Sequence, residues 1–142
     1  MPGLVASSQR LFAEDAGTRD PSANLDWPAQ HGSAVFAMGI TDPARLILVV
    51  DDGTIAGHLS GVVEEPTTFC SVRTATLRSL YVAPRLRSRG FGGELIKVFS
   101  VWAEEQRAEQ LEVTAYASNE DAIRFYTTHG FAPLSMVLRR SP

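Results

Sequence analysis

One stretch of this chain has both the residue types and the spacing to do chemistry: Arg87-Ser88-Arg89-Gly90-Phe91-Gly92-Gly93. After it, Phe91, Leu95, Val98, Phe99 and Trp102 recur at helical steps, so the glycines open an amphipathic helix that runs to about Gln106. The first N–H groups of a helix lack intrahelical partners, and its dipole draws negative charge. Glycines let a ligand approach the backbone, and Arg87 and Arg89 can add charge-assisted hydrogen bonds. The chemistry is that of a phosphate grip; a tight turn with solvent-facing arginines is the competing reading. Two familiar phosphate loops are excluded, because Gly93 is followed by Glu94 and Leu95, where a P-loop needs Lys and Ser/Thr and a dinucleotide fingerprint needs a third small residue.

The other reactive side chains are scattered. Cys70 is the only cysteine, which forbids an internal disulfide and a thiolate zinc site. His31, His58 and His129 have no metal-ligand spacing. With 142 residues, 44% hydrophobic and 20% charged, the chain fits one globular domain, residues 1–142. A net charge of −3 and pI near 5.6 remove the basic footprint of a nucleic-acid binder. The longest apolar run, Leu46 to Val50, is far short of the ~18 residues that span a bilayer. The N-terminal stretch lacks the charged-then-apolar order of an export signal, which places the protein in the cytoplasm.

The elements that must position the glycine loop follow from periodicity. Leu4, Ser8, Leu11 and Phe12 predict a first helix closed by Gly17 and Pro21, and Asp26 caps a second that runs to about Gly39. Leu46–Val50, the turn Asp51-Asp52-Gly53 and a strand from Thr54 to Val63 predict a hairpin. A third strand, Ala75 to Val82, ends at Pro84 and leads into the loop. Beyond the long helix come a strand from Leu111 to Ala117, a helix capped by Ser118 or Asn119 and stopped near Gly130, and a last strand from Phe131 to Arg139. The class is α/β (α+β) with a mixed sheet.

The spacing Arg87-x-x-Gly90-x-Gly92 after the strand LRSLYVAP resembles the pyrophosphate loop of the GNAT superfamily of acyl-CoA-dependent N-acyltransferases. A second block, Ser118 to Phe131, is similar to that family's next strand-to-helix region at Asn119, Ala122, Phe125, Tyr126, Gly130 and Phe131. The resemblance implies a mixed, mostly antiparallel central sheet flanked by helices. It also implies acetyl-CoA as donor, held at the pyrophosphate by Arg87, Ser88, Arg89, Gly90, Phe91, Gly92 and Gly93. Main-chain groups of the Leu80-Tyr81-Val82 segment would face the pantetheine arm, with Asn119 and Tyr126 closing the site. Transfer to a primary amine by direct attack follows.

Presenting the free base of an alkyl amine with a lysine-like pKa near 10.4 costs on the order of 4 kcal/mol at neutral pH. The leaving thiolate needs a proton donor, and Tyr126 is the family-matched acid. The base departs from the family pattern, because Arg78 and Ser79 stand where relatives carry Glu or His. A substitute carboxylate is Glu64 or Glu65 at the end of the preceding strand, or an acid of the helical front end, with ordered water as the other route; His58 serves only if its strand face points to the cleft. Glu14, Asp15, Asp20 and Asp26 around the first helices imply an acidic cleft for a cationic amine.

A helix pattern stands where relatives begin with a strand, so the usual first strand is absent and Leu46–Val50 lies near a bare edge. A homodimer contact is one way to cover it. A non-catalytic acyl-CoA-binding sensor or interaction module is the alternative to an enzyme. A nucleotide-binding regulator is disfavoured by the loop spacing.

Overall fold

The computed structural model describes residues 1–142. Its first part is helical: α1 (Pro2–Glu14), α2 (Ala16–Arg19), a π-helical turn (Pro28–Gly32) and α3 (Ser33–Thr41). The expected second helix is thus a π-turn continued by α3, and Asp26 does not cap it with its side chain; Trp27 is the residue before the turn. α1 carries Leu4, Ser7 and Ser8 on its buried face, and the two small serines let it lie close on the sheet.

Four strands form one sheet in the order β1-β2-β3-β4: β1 (Arg45–Asp51), β2 (Ile55–Glu64), β3 (Thr74–Val82) and β4 (Gln110–Val113). The first two pairings are antiparallel and β3–β4 is parallel. The turn between β1 and β2 forms as the Asp-Asp-Gly sequence requires: Gly53 sits at φ 105 and Asp51 Oδ1 accepts its N–H at 2.9 Å.

α1 and α3 cover one face of the sheet. α4 (Phe91–Glu105) covers the other, burying Leu95, Ile96, Phe99 and Ala103 against Leu59, Ala75 and Leu77 in one contiguous core. α5 (Glu120–Thr128) packs over the start of α4.

Two expectations are corrected at the C-terminal side. The strand expected over Leu111–Ala117 leaves the ladder after Val113, whose partner is Leu77. The strand expected over Phe131–Arg139 does not form. Beyond Phe131, whose N–H bonds Tyr126, this stretch makes no backbone hydrogen bond, and Leu134, Met136, Val137 and Leu138 are 70–86% exposed. Alternating apolar residues supply a strand's surface, but a strand exists only where an edge accepts its N–H and C=O groups, and this stretch pairs with none.

Candidate acyl-donor site

The parting of β3 from β4 is the central feature of the site. β3 keeps pairing with β2 through Val82, opposite Gly57, while its pairing with β4 stops at Leu77. From Arg78 to Val82 one edge of β3 is therefore open. The alternation of an antiparallel ladder decides which groups use it. Ala83 donates to Ala56 at 2.7 Å, toward β2, so the main-chain groups of Leu80 and Val82 face the gap and those of Tyr81 do not. Arg87 Nε confirms the direction by donating to the Val82 carbonyl at 2.8 Å. Leu80 and Val82 thus offer backbone hydrogen bonds to an extended ligand, while the Tyr81 side chain is buried beneath Arg87, whose guanidinium lies 5.6 Å from the ring centre.

At the end of this gap the chain turns through Pro84–Leu86 into the glycine loop. Ser88 (φ 62) and Gly90 (φ 85) both adopt left-handed backbone, which folds the N–H groups toward one side. No N–H from Ser88 to Gly93 donates a hydrogen bond within the chain; the first to do so is Glu94, to Gly90 at 3.0 Å. Gly90 caps α4 without any side chain competing for these donors. The result is a nest of N–H groups at a helix N-terminus, suited to a diphosphate. Gly92 also admits α5: an added Cβ there would stand 3.0 Å from the Phe125 ring.

A Gly90→Ala exchange meets no atom but forces φ 85 on an L residue. It is expected to cost about 1–2 kcal/mol, read as a lower urea midpoint, and to weaken coenzyme A binding because the relaxed loop turns N–H groups away.

Arg87 does not project toward the nest. Its guanidinium meets the Glu14 carboxylate at 2.7 and 2.8 Å, and that hydrogen bond holds Arg87 above its usual pKa. It is a latch between the end of α1 and the loop. Arg89 and Ser88 are exposed at the turn.

Asn119 is likewise engaged: Oδ1 accepts the Ala122 N–H at 3.1 Å as the α5 cap, and Nδ2 donates to Asp15 at 3.0 Å. These two contacts join the loop and α5 to α1, and their sequence separations hide them from any spacing argument.

Tyr126 packs edge-on against Phe125 and Phe131, and its phenol has no hydrogen-bond partner in the chain. Burial, with the charge of Asp15 acting in the same direction, pushes the phenol up to about 12. It therefore stays protonated at neutral pH and keeps an O–H to donate.

The expected bases are not at this site. Glu64 pairs with Arg78 at 2.6 Å and Glu65 with Arg73. Glu64 lies opposite Thr74, about 17 Å along β2 from the Leu59–Leu80 pair at 3.3 Å per residue. His58 points beneath α1. Its Nδ1 lies 2.7 Å from Ser7 Oγ, its Nε2 3.0 Å from Ser79 Oγ, and Ser79 is 2.6 Å from Ser60. Burial lowers its pKa to about 4, so the ring is neutral and a poor acceptor of an amine proton. The network of Ser7, His58, Ser79 and Ser60 fastens α1 to β2 and β3.

The acids around the first two helices, expected to form an acidic cleft, are mostly matched: Glu14 by Arg87, Asp15 by Arg19 at 2.9 Å, and Asp20 by Arg139 at 2.7 Å. No group of His, Cys, Asp and Glu could hold a metal ion, and no helix is long and apolar enough to cross a membrane.

The fold, a four-stranded mostly antiparallel sheet flanked by helices, recurs in solved structures. A transcriptional regulator from Bacillus halodurans C-125 superposes with TM-score 0.75 at 22% identity, covering 99% of this chain and 95% of that one. A glucosamine-6-phosphate N-acetyltransferase from Arabidopsis thaliana gives 0.61 at 14% identity, over 96% and 92%. An aminoglycoside N-acetyltransferase solved in complex with CoA gives 0.67 at 16% identity, over 80% and 87%. No curated protein matches by sequence. The model of the Acetyltransferase (GNAT) family matches residues 9–131, which contain the latch, the open β3 edge, the glycine nest and Tyr126. The chain belongs to the GNAT acetyltransferase family, whose acyl donor is acetyl-CoA.

Proposed function

We propose that this protein transfers an acetyl group from acetyl-CoA to a primary amine by direct attack, without an acyl-enzyme. The observation that carries the reading is the continuity of the open β3 edge with the undonated N–H groups of Ser88 to Gly93. The two together form one track for an extended thiol ester ending in a diphosphate. Bound acetyl-CoA supplies the acyl group as an activated thioester.

The chain's own contribution is then positional and electrostatic. Backbone groups of Leu80 and Val82 align the arm, and the nest neutralises the diphosphate. Tyr126 donates a hydrogen bond to the charge that develops as the thioester breaks. Full proton transfer from a phenol at about 12 to a thiolate near 8.5 would be uphill by about 5 kcal/mol. The phenol therefore shares its proton rather than surrendering it. Cys70, half-buried on the loop before β3 with Thr74 and Gln110 around it, has no part in this track.

The acceptor is read as an alkyl amine, cationic at neutral pH simply because its pKa is near 10.4. With Glu14, Asp15 and Asp20 each held by an arginine, little unbalanced negative field remains to select a polycation. Glu64, Glu65 and His58 are each engaged away from the track, so in this reading the free base enters from solvent or loses its proton to water.

That missing base is also what favours the second reading, a coenzyme-A-binding sensor. Thiol release from acetyl-CoA, followed with a panel of neutral, cationic and anionic primary amines, tests the pair. Acetylated product with a primary alkyl amine supports transfer. Thiol release no faster than the amine-free background for every amine contradicts transfer and supports the sensor.

A further inference from the structure

β1 is an edge strand, and its seven residues Arg45-Leu46-Ile47-Leu48-Val49-Val50-Asp51 read as their own complement. We propose that two copies of the chain pair through β1, antiparallel about a two-fold axis at Leu48, to make one continuous eight-stranded sheet.

The ladder to β2 fixes which groups are free. Val63 donates to the Ala44 carbonyl at 2.8 Å, so by alternation Ala44, Leu46, Leu48 and Val50 turn their main-chain groups toward β2. Ile47 and Val49 turn theirs outward, where nothing bonds them. A two-fold axis at Leu48 sets Ile47 of one copy against Val49 of the other in a hydrogen-bonded pair, twice over. The same axis sets Arg45 against Asp51 of the other copy at each end.

The side chains agree with this register. Arg45 lies 3.4 Å from the Asp42 carboxylate, yet its buried Nε makes no hydrogen bond, and Asp51 has no cationic partner in its own chain. Pairing supplies each with the opposite charge. On the two sides of the edge lie apolar hollows, about 300 Å³ against Phe91, Leu95 and Val98 of α4 and about 410 Å³ against Leu4 and Ile40. Ile40 is 64% exposed, Val98 46% and Val49 43%, an apolar rim that solvent alone does not explain. From Leu46 to Val50 the strand carries none of the Lys or Pro residues that keep edges single. A two-fold isologous contact is the commonest form of soluble homo-oligomer. The donor track lies across the sheet at β3, so pairing at β1 leaves both tracks open.

Sedimentation equilibrium of the full chain from 1 to 100 μM tests the proposal, with far-UV circular dichroism and coenzyme A uptake as the check that each variant is folded. The expected result is a dimer weakened at least tenfold by Asp51→Arg, which sets arginine against arginine. The dimer should recover in R45D/D51R, and Ile47→Pro, which removes an outward N–H, should weaken it as well. Monomer throughout overturns the proposal, whether the edge is bare or taken by another part of the chain. So does a dimer indifferent to Ile47→Pro and Asp51→Arg, and a double variant no tighter than Asp51→Arg overturns the register. None of these outcomes bears on acetyl transfer, which is read separately.

Discussion

Tyr126→Phe is expected to lower turnover with acetyl-CoA about 100-fold while leaving coenzyme A affinity unchanged. The size follows from removing one donor aimed at developing charge, which costs about 10² to 10³ in rate where such donors are preorganised. The phenol qualifies because it is half-buried, protonated and without a partner in the chain. Its ring, held by Phe125 and Phe131, is retained by phenylalanine, so packing and donor binding survive. Steady-state kinetics and coenzyme A titration of the same preparation check it. A variant with wild-type turnover would remove Tyr126 from the reaction.

The second large effect concerns stability in acid. His58 titrates at about 4 in the folded chain against 6.5 when exposed, because burial disfavours its charged form. Between these values the unfolded chain binds a proton that the folded chain refuses, so stability falls as pH falls. From pH 7.5 to pH 4 this group alone removes about 3 kcal/mol, and below that both states are protonated and the loss stops. Urea unfolding of the wild type and of His58→Gln at both pH values checks the sign and size. The variant is less stable at neutral pH, since Ser7 and Ser79 lose an imidazole partner, but its stability should depend on pH less by about that amount. Equal pH dependence in the two proteins would contradict the buried neutral imidazole.

The loop and the helix after it were legible because their signals are local. Gly90 marks a left-handed position and the apolar steps from Phe91 to Trp102 mark a face, and neither needs a distant partner. The direction of Leu80 and Val82 came from resemblance, and its physical basis appears only in the end of pairing at Val113. That end was not legible, since Thr114 to Ala117 continue to read as strand by composition.

The strand expected from Phe131 to Arg139 failed for a related reason: alternation describes a surface, whereas a strand is defined by its neighbour. The latch from Arg87 to Glu14 and the bond from Asn119 to Asp15 are tertiary choices of charged and amide side chains. They engage two residues expected at the donor, Arg87 and Asn119, with Glu14 and Asp15. The acids near α1 looked like a field for cations because sequence counts charges without pairing them. His58, read as a base only if it faced the cleft, faces α1 instead.

Isothermal titration of the purified, folded chain with coenzyme A tests the central claim most directly, because the proposal assigns both the track along β3 and the nest from Ser88 to Gly93 to that molecule. The account predicts saturable binding at one site per chain with a dissociation constant in the micromolar range, weaker in Gly90→Ala. Absence of any binding heat and of any thermal stabilisation at millimolar coenzyme A would contradict it.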